Sequence, residues 1–328
     1  MAEYDLVGIG NALVDVAAHV EDAFLAAQGL AKGSMSLVDA AQSRALYDRM
    51  PPGIESSGGS CGNTMAGFAS LGGKGAYIGK VKDDQLGAVF RHDLRSIGVD
   101  FPTPAAAHGA ATGSCLVLVT PDAERTMCTY LGAASELSPG DVEADVIERT
   151  RVVYMEGYLF DPPAAQRAFV KAADLAHAAG RKVAITLSDG FCVDRHRTAF
   201  RALVEDHTDI LFANEDEILS LYQVDEFDAA LQLARGHCEI ACLTRSEKGS
   251  VILSGDEVHV IDAVKVDRVV DTTGAGDQYA AGFLYGYTQG MDLATSGRIA
   301  SIAAAEIVSH NGARPEADLA KLVAEALP

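Results

Sequence analysis

The segment Asp271-Thr272-Thr273-Gly274-Ala275-Gly276-Asp277 runs directly into the apolar stretch Gln278-Tyr279-Ala280-Ala281-Gly282-Phe283. Small residues let backbone N–H groups converge where a helix starts, and there the macrodipole and unpaired donors favour anionic oxygens such as those of a phosphoryl group in transit. Asp277, in the first turn, is placed to accept the proton of a hydroxyl that attacks phosphorus. A plainer reading stays open, in which Gly274 and Gly276 permit a tight turn and Asp277 caps the helix. A second glycine loop, Ser57-Gly58-Gly59-Ser60-Cys61-Gly62-Asn63-Thr64, opens another helix through Met65, Phe68 and Leu71. Asn63 carries a donor and an acceptor suited to vicinal hydroxyls, or else serves as an N-cap. The third motif is Gly8-Ile9-Gly10-Asn11-Ala12-Leu13-Val14-Asp15. It fails as a dinucleotide fingerprint because Leu13 stands where a third glycine is required. The Asp15 carboxylate, an acceptor only, suits a diol, with an ordinary turn aspartate as the alternative. Gly72-Gly73-Lys74-Gly75 lacks the spacing of a Walker loop, so a nucleotide would be held by other means.

These motifs together resemble those of the ribokinase-like (PfkB) carbohydrate kinases, along the whole chain. The resemblance implies a kinase, with Asp277 as the catalytic base and the backbone of Gly274, Ala275 and Gly276 as an anion hole. Gly-Asn-x-x-x-Asp resembles the family's opening, which implies that Asn11 and Asp15 meet the acceptor, Asp15 taking two hydroxyls. The glycine loop is similar to the family's N-terminal signature, so Gly59 and Asn63 would hold the sugar. Asn214-Glu215-Asp216-Glu217 resembles the Asn-x-x-Glu motif, which assigns Asn214 to the nucleotide and Glu217 to organising Mg²⁺, often through water. The bland alternative there is an acidic helix start. Thr244-Arg245-Ser246-Glu247-Lys248-Gly249 resembles the ATP loop Thr-x-Gly-x-x-Gly, with Ser246 replacing the first glycine. Ser309-His310-Asn311-Gly312-Ala313 resembles the stretch beside the adenine of ATP, where relatives can also hold K⁺ through backbone carbonyls.

The form Gly-Gly-Ser-x-x-Asn is similar to the family's adenosine kinase branch, and Arg125 to Ala134 resembles that branch's run from an arginine to a Leu-x-Ala wall. Leu131 and Ala133 would then line an apolar slot for a purine, and Arg125 would reach the transferring phosphate. Met35 and Tyr158 lean the same way, while Ser34 and Ser36 are more polar than the slot requires. The expected acceptor is adenosine. The alternatives are a free sugar such as ribose or fructose and, outside the class, a non-catalytic ligand sensor or an NAD-dependent oxidoreductase.

Short apolar runs at 6–9, 76–78, 152–155, 183–187, 210–212 and 240–243 alternate with amphipathic stretches, which predicts an α/β fold: a mostly parallel sheet covered by helices on both faces. One such helix spans 163–179, with Phe169, Val170, Ala173 and Ala176 inward. A hairpin formed by 112–119 and 125–131 breaks the rhythm and, with 14–20 and 34–38, predicts a small sheet built from about 14–38 and 105–133, a lid on a single domain spanning the chain. The Pro/Gly/Ser-rich run 51–60 is expected to be a binding loop. The 328 residues include 26 Lys plus Arg and 46 Asp plus Glu, a net charge of −20, which argues against nucleic acid as a partner. With 48% hydrophobic and 22% charged residues, no membrane-length apolar run and no basic leader, a cytoplasmic monomer or homodimer is expected. The six scattered cysteines are read as reduced thiols rather than as disulfides or a zinc site.

Overall fold

The computed structural model describes residues 2–327. In chain order the first strands are β1 (Tyr4–Ile9), β2 (Leu13–His19), β3 (Met35–Leu37), β4 (Ile54–Gly58), β5 (Gly75–Ile78), β6 (Val99–Asp100) and β7 (Gly113–Val119). They are followed by β8 (Arg125–Tyr130), β9 (Thr150–Glu156), β10 (Lys182–Thr186), β11 (Ile210–Asn214), β12 (Ile240–Thr244), β13 (Ser250–Ser254) and β14 (Glu257–Ile261). Nine of them make one sheet in the order β14-β13-β12-β11-β10-β9-β1-β5-β6. All its pairs are parallel except β12 with β13 and β13 with β14. The continuous apolar character of β1, β9 and β10 follows from this position, since a central parallel strand is buried on both faces.

Each face is covered by its own core. On one side Phe169, Phe200, Leu203 and Val204 pack from helices Pro163–Ala178 and Gly190–His207. On the other, Met65 and Phe68 of helix Ser60–Ser70 meet Phe283 and Leu284 of helix Ala275–Thr288. In Pro163–Ala178 the buried stripe is Ala165, Ala168, Phe169, Ala172, Ala173 and Ala176, while Val170, expected inward, is exposed. One residue past Phe169 is a rotation of about 100°, enough to carry Val170 off the stripe.

The other five strands form a separate sheet, ordered β3-β8-β7-β2-β4. The hairpin β7–β8 is antiparallel, and Ala123 accepts a left-handed φ of 67° in its turn. Strand β4 corrects the expectation of a loop over 51–60, because Ile54–Gly58 pairs antiparallel with β2. Its Ile-Glu-Ser-Ser-Gly composition carries little strand signal, and Ile54 is largely exposed. The free edge of β2 supplies the ladder that composition does not. The sheet therefore draws on 54–58 as well as on the two expected segments.

Helix Ala275–Thr288 lies against helix Leu293–Val308 so closely that a Cβ on Gly282 would sit 2.6 Å from Ala300 Cα and 2.8 Å from Ile299 O. Those are backbone atoms and cannot swing aside. Gly282→Ala is expected to destabilise the chain by about 1–3 kcal/mol through overpacking, outweighing the helix-propensity gain of roughly 1 kcal/mol. Thermal unfolding checks this; an unchanged or higher Tm contradicts the close packing.

Candidate active site

The carboxyl ends of the central strands open into one cavity of about 590 Å³. Asn11 just beyond β1, Glu156 ending β9, Thr186 ending β10, Asn214 ending β11 and Thr244 ending β12 all line it. This is where an open parallel sheet leaves room for ligands. The small sheet forms the facing wall through Leu13, Asp15, Met35, Leu37, Val117 and Met127.

Helix Ala275–Thr288 begins at the rim of this cavity. Gly274 is its N-cap with φ of 81°, and a Cβ there would meet Ala313 at 2.8 Å, so glycine is required by both conformation and space. The Ala275 amide donates to Thr272 O at 3.2 Å, which corrects the expected donor set. The Gly276 and Asp277 amides, at the second and third helical positions, have no intrahelical acceptor. A Cβ added at Gly276 would meet nothing within 4 Å, leaving open space in front of the turn. Asp277 does not cap its own helix. Its carboxylate reaches the other glycine-led helix, accepting from Ser60 Oγ at 2.6 Å and from Asn63 Nδ2 at 3.1 Å. Burial pushes its pKa up to about 6, against the pull of those two donors. Asn63 is not an N-cap either, since Gly59, with φ of 81°, holds that position.

Asp15 sits within β2, not in a turn. A Cβ on Gly58 would fall 2.3 Å from Asp15 Oδ1, so glycine here leaves the Asp15 carboxylate in place. Burial raises Asp15 to about 6, moderated by the charges of Arg125 and Arg314 but by no hydrogen bond, which leaves its oxygens available to a ligand. Arg125 lines the cavity and ion-pairs with Asp271 at 2.9 Å. Burial works to raise Asp271, yet bonds from Thr273, Arg125 and Gly312 outweigh it and hold it at about 2.

Leu131 and Tyr158 line the cavity, but Ala133 does not: it is fully buried, its amide bonded to Ala111 O. The 3₁₀ turn at Gly132–Glu136 turns it into the core. Glu217 lines the cavity with Asn214, and the two form a reciprocal capping box: Asn214 N and Nδ2 donate to Glu217 while Glu217 N donates to Asn214 Oδ1. Burial raises Glu217 to about 7. Arg245, Gly249 and Asn311 lie outside this cavity. Arg245 pairs with Glu215 at 3.1 Å and stacks over Phe227. Ser246, in place of the resembled motif's glycine, adopts φ of 51°, so the loop keeps a left-handed turn without that glycine. Gly249 packs against Ile261 O and the backbone of Asp262 and Ala263, which border a second, open groove of about 1640 Å³. Ser309 and His310, beside Asn311, form part of that groove's wall.

Among the lining residues that sequence reasoning missed, Glu156 and Phe191 stand out. Glu156 is fully buried and accepts from Asn11 N, Asn11 Nδ2 and Cys61 N at 3.2, 2.7 and 2.8 Å, joining the Gly8–Asp15 motif to the Ser57–Thr64 loop. Burial raises it to about 7. Phe191, 78% exposed at the mouth, faces the cavity with Tyr158. Neither stands in a motif, although a lone acid ending an apolar strand was a signal for Glu156.

A family model described as pfkB family carbohydrate kinase matches residues 49–319. The chain belongs to that family. It is a phosphotransferase acting on an alcohol group. The crystal structure of adenosine kinase from Sinorhizobium meliloti is similar at a TM-score of 0.90 and 49% identity, covering 99% of this chain and 100% of that one. A probable sugar kinase from Rhizobium etli CFN 42 is similar at a TM-score of 0.91 and 47% identity, covering 99% of each. The adenosine kinase of Saccharomyces cerevisiae is 28% identical over 313 residues, 89% of this chain and 91% of its own length. The family implies ATP and typically Mg²⁺. Both fit this kinase. The open space at Gly276 suits a phosphoryl group, and the Glu217 carboxylate on the cavity wall is an oxygen donor of the kind Mg²⁺ takes. No helix among the described residues is long and apolar enough to cross a membrane.

Two outcomes are expected. Gly276→Ala adds a methyl group to free space, so Tm holds or rises slightly while turnover is expected to fall at least about tenfold, because the methyl enters the open space that suits a phosphoryl group. Wild-type turnover in that variant contradicts the placement. Glu156 binds a proton in the folded chain at pH values where the unfolded chain has lost it. Its contribution to stability is thus full below the usual glutamate value and lost as pH rises through about 7. Glu156→Gln, which cannot ionise, should flatten the fall in Tm between about pH 5 and about pH 8; an unchanged slope contradicts the buried-acid account.

Proposed function

We propose that this kinase transfers the γ-phosphoryl group of ATP to the 5′-hydroxyl of a nucleoside, with adenosine as the acceptor. One observation carries the reading: a single cavity holds both an unbonded carboxylate suited to a diol, Asp15, and an apolar surface made by Met35, Leu37, Met127, Leu131, Tyr158 and Phe191. A ribose bears the diol, and a purine covers flat apolar walls that a free sugar leaves wet. The full-length likeness to the Sinorhizobium meliloti adenosine kinase supports it.

In this reading Asp15, Asn11, Gly59 and Asn63 hold the ribose, and its 5′-oxygen faces Asp277. Ser60 and Asn63 orient the Asp277 carboxylate, which takes the hydroxyl proton as the oxygen attacks phosphorus. The Gly276 and Asp277 amides, with Arg125 nearby, meet the charge that builds on the phosphoryl oxygens. Asn214 and Glu217 are the residues that would hold Mg²⁺ beside the nucleotide, where the cation would offset phosphate charge. The small sheet acts as a lid that keeps water from competing as acceptor. The nucleotide lies along Thr244, Arg245 and Gly249 with its base in the second groove beside Asn311. The reaction returns a nucleoside to the nucleotide pool in the ATP-containing cytoplasm.

An ATP-coupled screen of adenosine, inosine, guanosine, ribose and fructose tests the acceptor. Adenosine is expected to show the highest kcat/KM; a free sugar in first place replaces the nucleoside reading with the sugar kinase reading suggested by the Rhizobium etli neighbour. Asp277→Asn should lower kcat by about 10²–10⁴ with little change in adenosine affinity. In the wild type, kcat/KM should climb as pH rises through about 6, where Asp277 becomes a base. Near-normal turnover in Asp277→Asn removes the proton-acceptor role.

A further inference from the structure

The loop after helix Leu293–Val308 touches the Asp271–Gly274 turn and, through Gln278 and Arg314, the Ser57–Asn63 loop. Gly312 N donates to Asp271 Oδ2 at 3.1 Å, and Ala313 packs on Gly274. Gln278, fully buried, donates from one amide nitrogen to Ala313 O at 3.1 Å and to Asn63 O at 2.9 Å. Arg314 extends furthest from this loop. Its Nη2 donates to Ser57 Oγ at 2.6 Å and its Nη1 pairs with Asp93 Oδ2 at 3.3 Å. Asp93 Oδ2 also accepts from Ser57 N at 2.7 Å and Ser57 Oγ at 2.6 Å, closing a three-residue cluster. Ser57 lies in β4, paired with Val14 beside Asp15 and two residues before Gly59.

On the other side, Ser309, His310, Glu316 and Ala317 line the second groove, so the residues flanking Arg314 belong to the wall expected to hold the base of ATP. Arg314 itself lines neither cavity. Its Nε is buried without a partner, a cost that a merely space-filling side chain would not incur. A guanidinium is planar and gripped at two nitrogens, so a shift of the loop is passed to Ser57 as a displacement rather than absorbed by a flexible stem.

We propose that Arg314 is a positioning residue that couples nucleotide occupancy of the second groove to the affinity of the acceptor end, through Ser57 and the Asp15–Gly59 elements. The inference rests on the kinase reading, in which the two cavities take nucleotide and acceptor. Thermodynamic coupling is reciprocal, so it is measurable from either ligand.

The experiment uses the full chain and whichever acceptor the wild type phosphorylates, with a non-hydrolysable ATP analogue and Mg²⁺. Calorimetry gives the acceptor Kd with and without the analogue. The wild type is expected to bind acceptor about tenfold tighter with the analogue present, a factor falling to about one in Arg314→Gln. Acceptor KM should rise about tenfold in that variant while kcat at saturation stays within about threefold. Arg314→Lys, which keeps the charge and loses the fork, should recover only part of the coupling. Ser57→Ala, which removes the fork's main acceptor, should reproduce the loss and serves if Arg314→Gln does not fold. Full coupling in both Arg314→Gln and Ser57→Ala, or no coupling in the wild type, overturns the inference alone. Absence of wild-type turnover with every acceptor overturns the kinase reading beneath it.

Discussion

Two helix N-termini meet at one carboxylate. Ser60 and Asn63, in the first turn of one helix, donate to Asp277 in the first turn of the other. Both macrodipoles therefore point their positive ends at the same place, which favours a negative charge there and suits an anionic group beside it. The close approach is set by glycines and small side chains rather than by polar design. Gly67 has no room for a Cβ against Gln278, and Gln278 in turn bonds to the backbone of Asn63. Without that helix contact the carboxylate would have neither its donors nor its burial.

The same burial makes the site electrostatically expensive. Asp15, Asp277, Glu156 and Glu217 are all pushed upward in pKa by loss of water in a chain already carrying a net charge of −20. Each responds differently because each has a different hydrogen-bond supply. Glu156 and Glu217 are committed to neighbouring amides and act as joints between loops. Asp15 lacks such bonds and so keeps its acceptors for a ligand. Asp277 lies between these extremes, oriented by two donors and held at about 6, as the proposed proton acceptor requires.

The parts legible in the sequence are those where the backbone dictates residue type. Gly274 and Gly59 mark left-handed turns, and the alternation of apolar strands with helices gives the parallel sheet and its carboxyl-end cavity. The antiparallel β7–β8 pair is legible because period-two patterning flanks a turn. What escaped reading depends on contacts between distant segments. Strand β4 forms because β2 offers an edge, not because Ile54–Gly58 favours extension. Ala133 follows Leu131 by two residues, yet a 3₁₀ turn sends it into the core. Glu156 lies 145 residues from Asn11, and nothing local announces that pairing. Arg125 is readable as a cation at the site but not as the partner of Asp271, which is 146 residues away.

The proposed acceptor anchor and the proposed proton acceptor belong to different layers of the fold. Asp15 rides on β2 of the small sheet, while Asp277 is fixed to a helix packed on the large one. In-line transfer needs the two held to within a fraction of an ångström, since a small displacement of a bound hydroxyl costs far more in rate than in affinity. Chain continuity alone cannot give that precision: the crossing from β1 to β2 is a short Gly-Asn-Ala link, and β4 ends at Gly58 with Gly59 next. The precision must come from side chains that bridge the sheets. Arg125 on β8 grips Asp271 beside the anion-binding turn, and Arg314 grips Ser57 on β4 from the loop packed on that same turn. One bridge ends at Asp271 and the other in the loop packed on Gly274, so the small sheet is tied to the proposed phosphoryl-binding turn rather than only to the body as a whole.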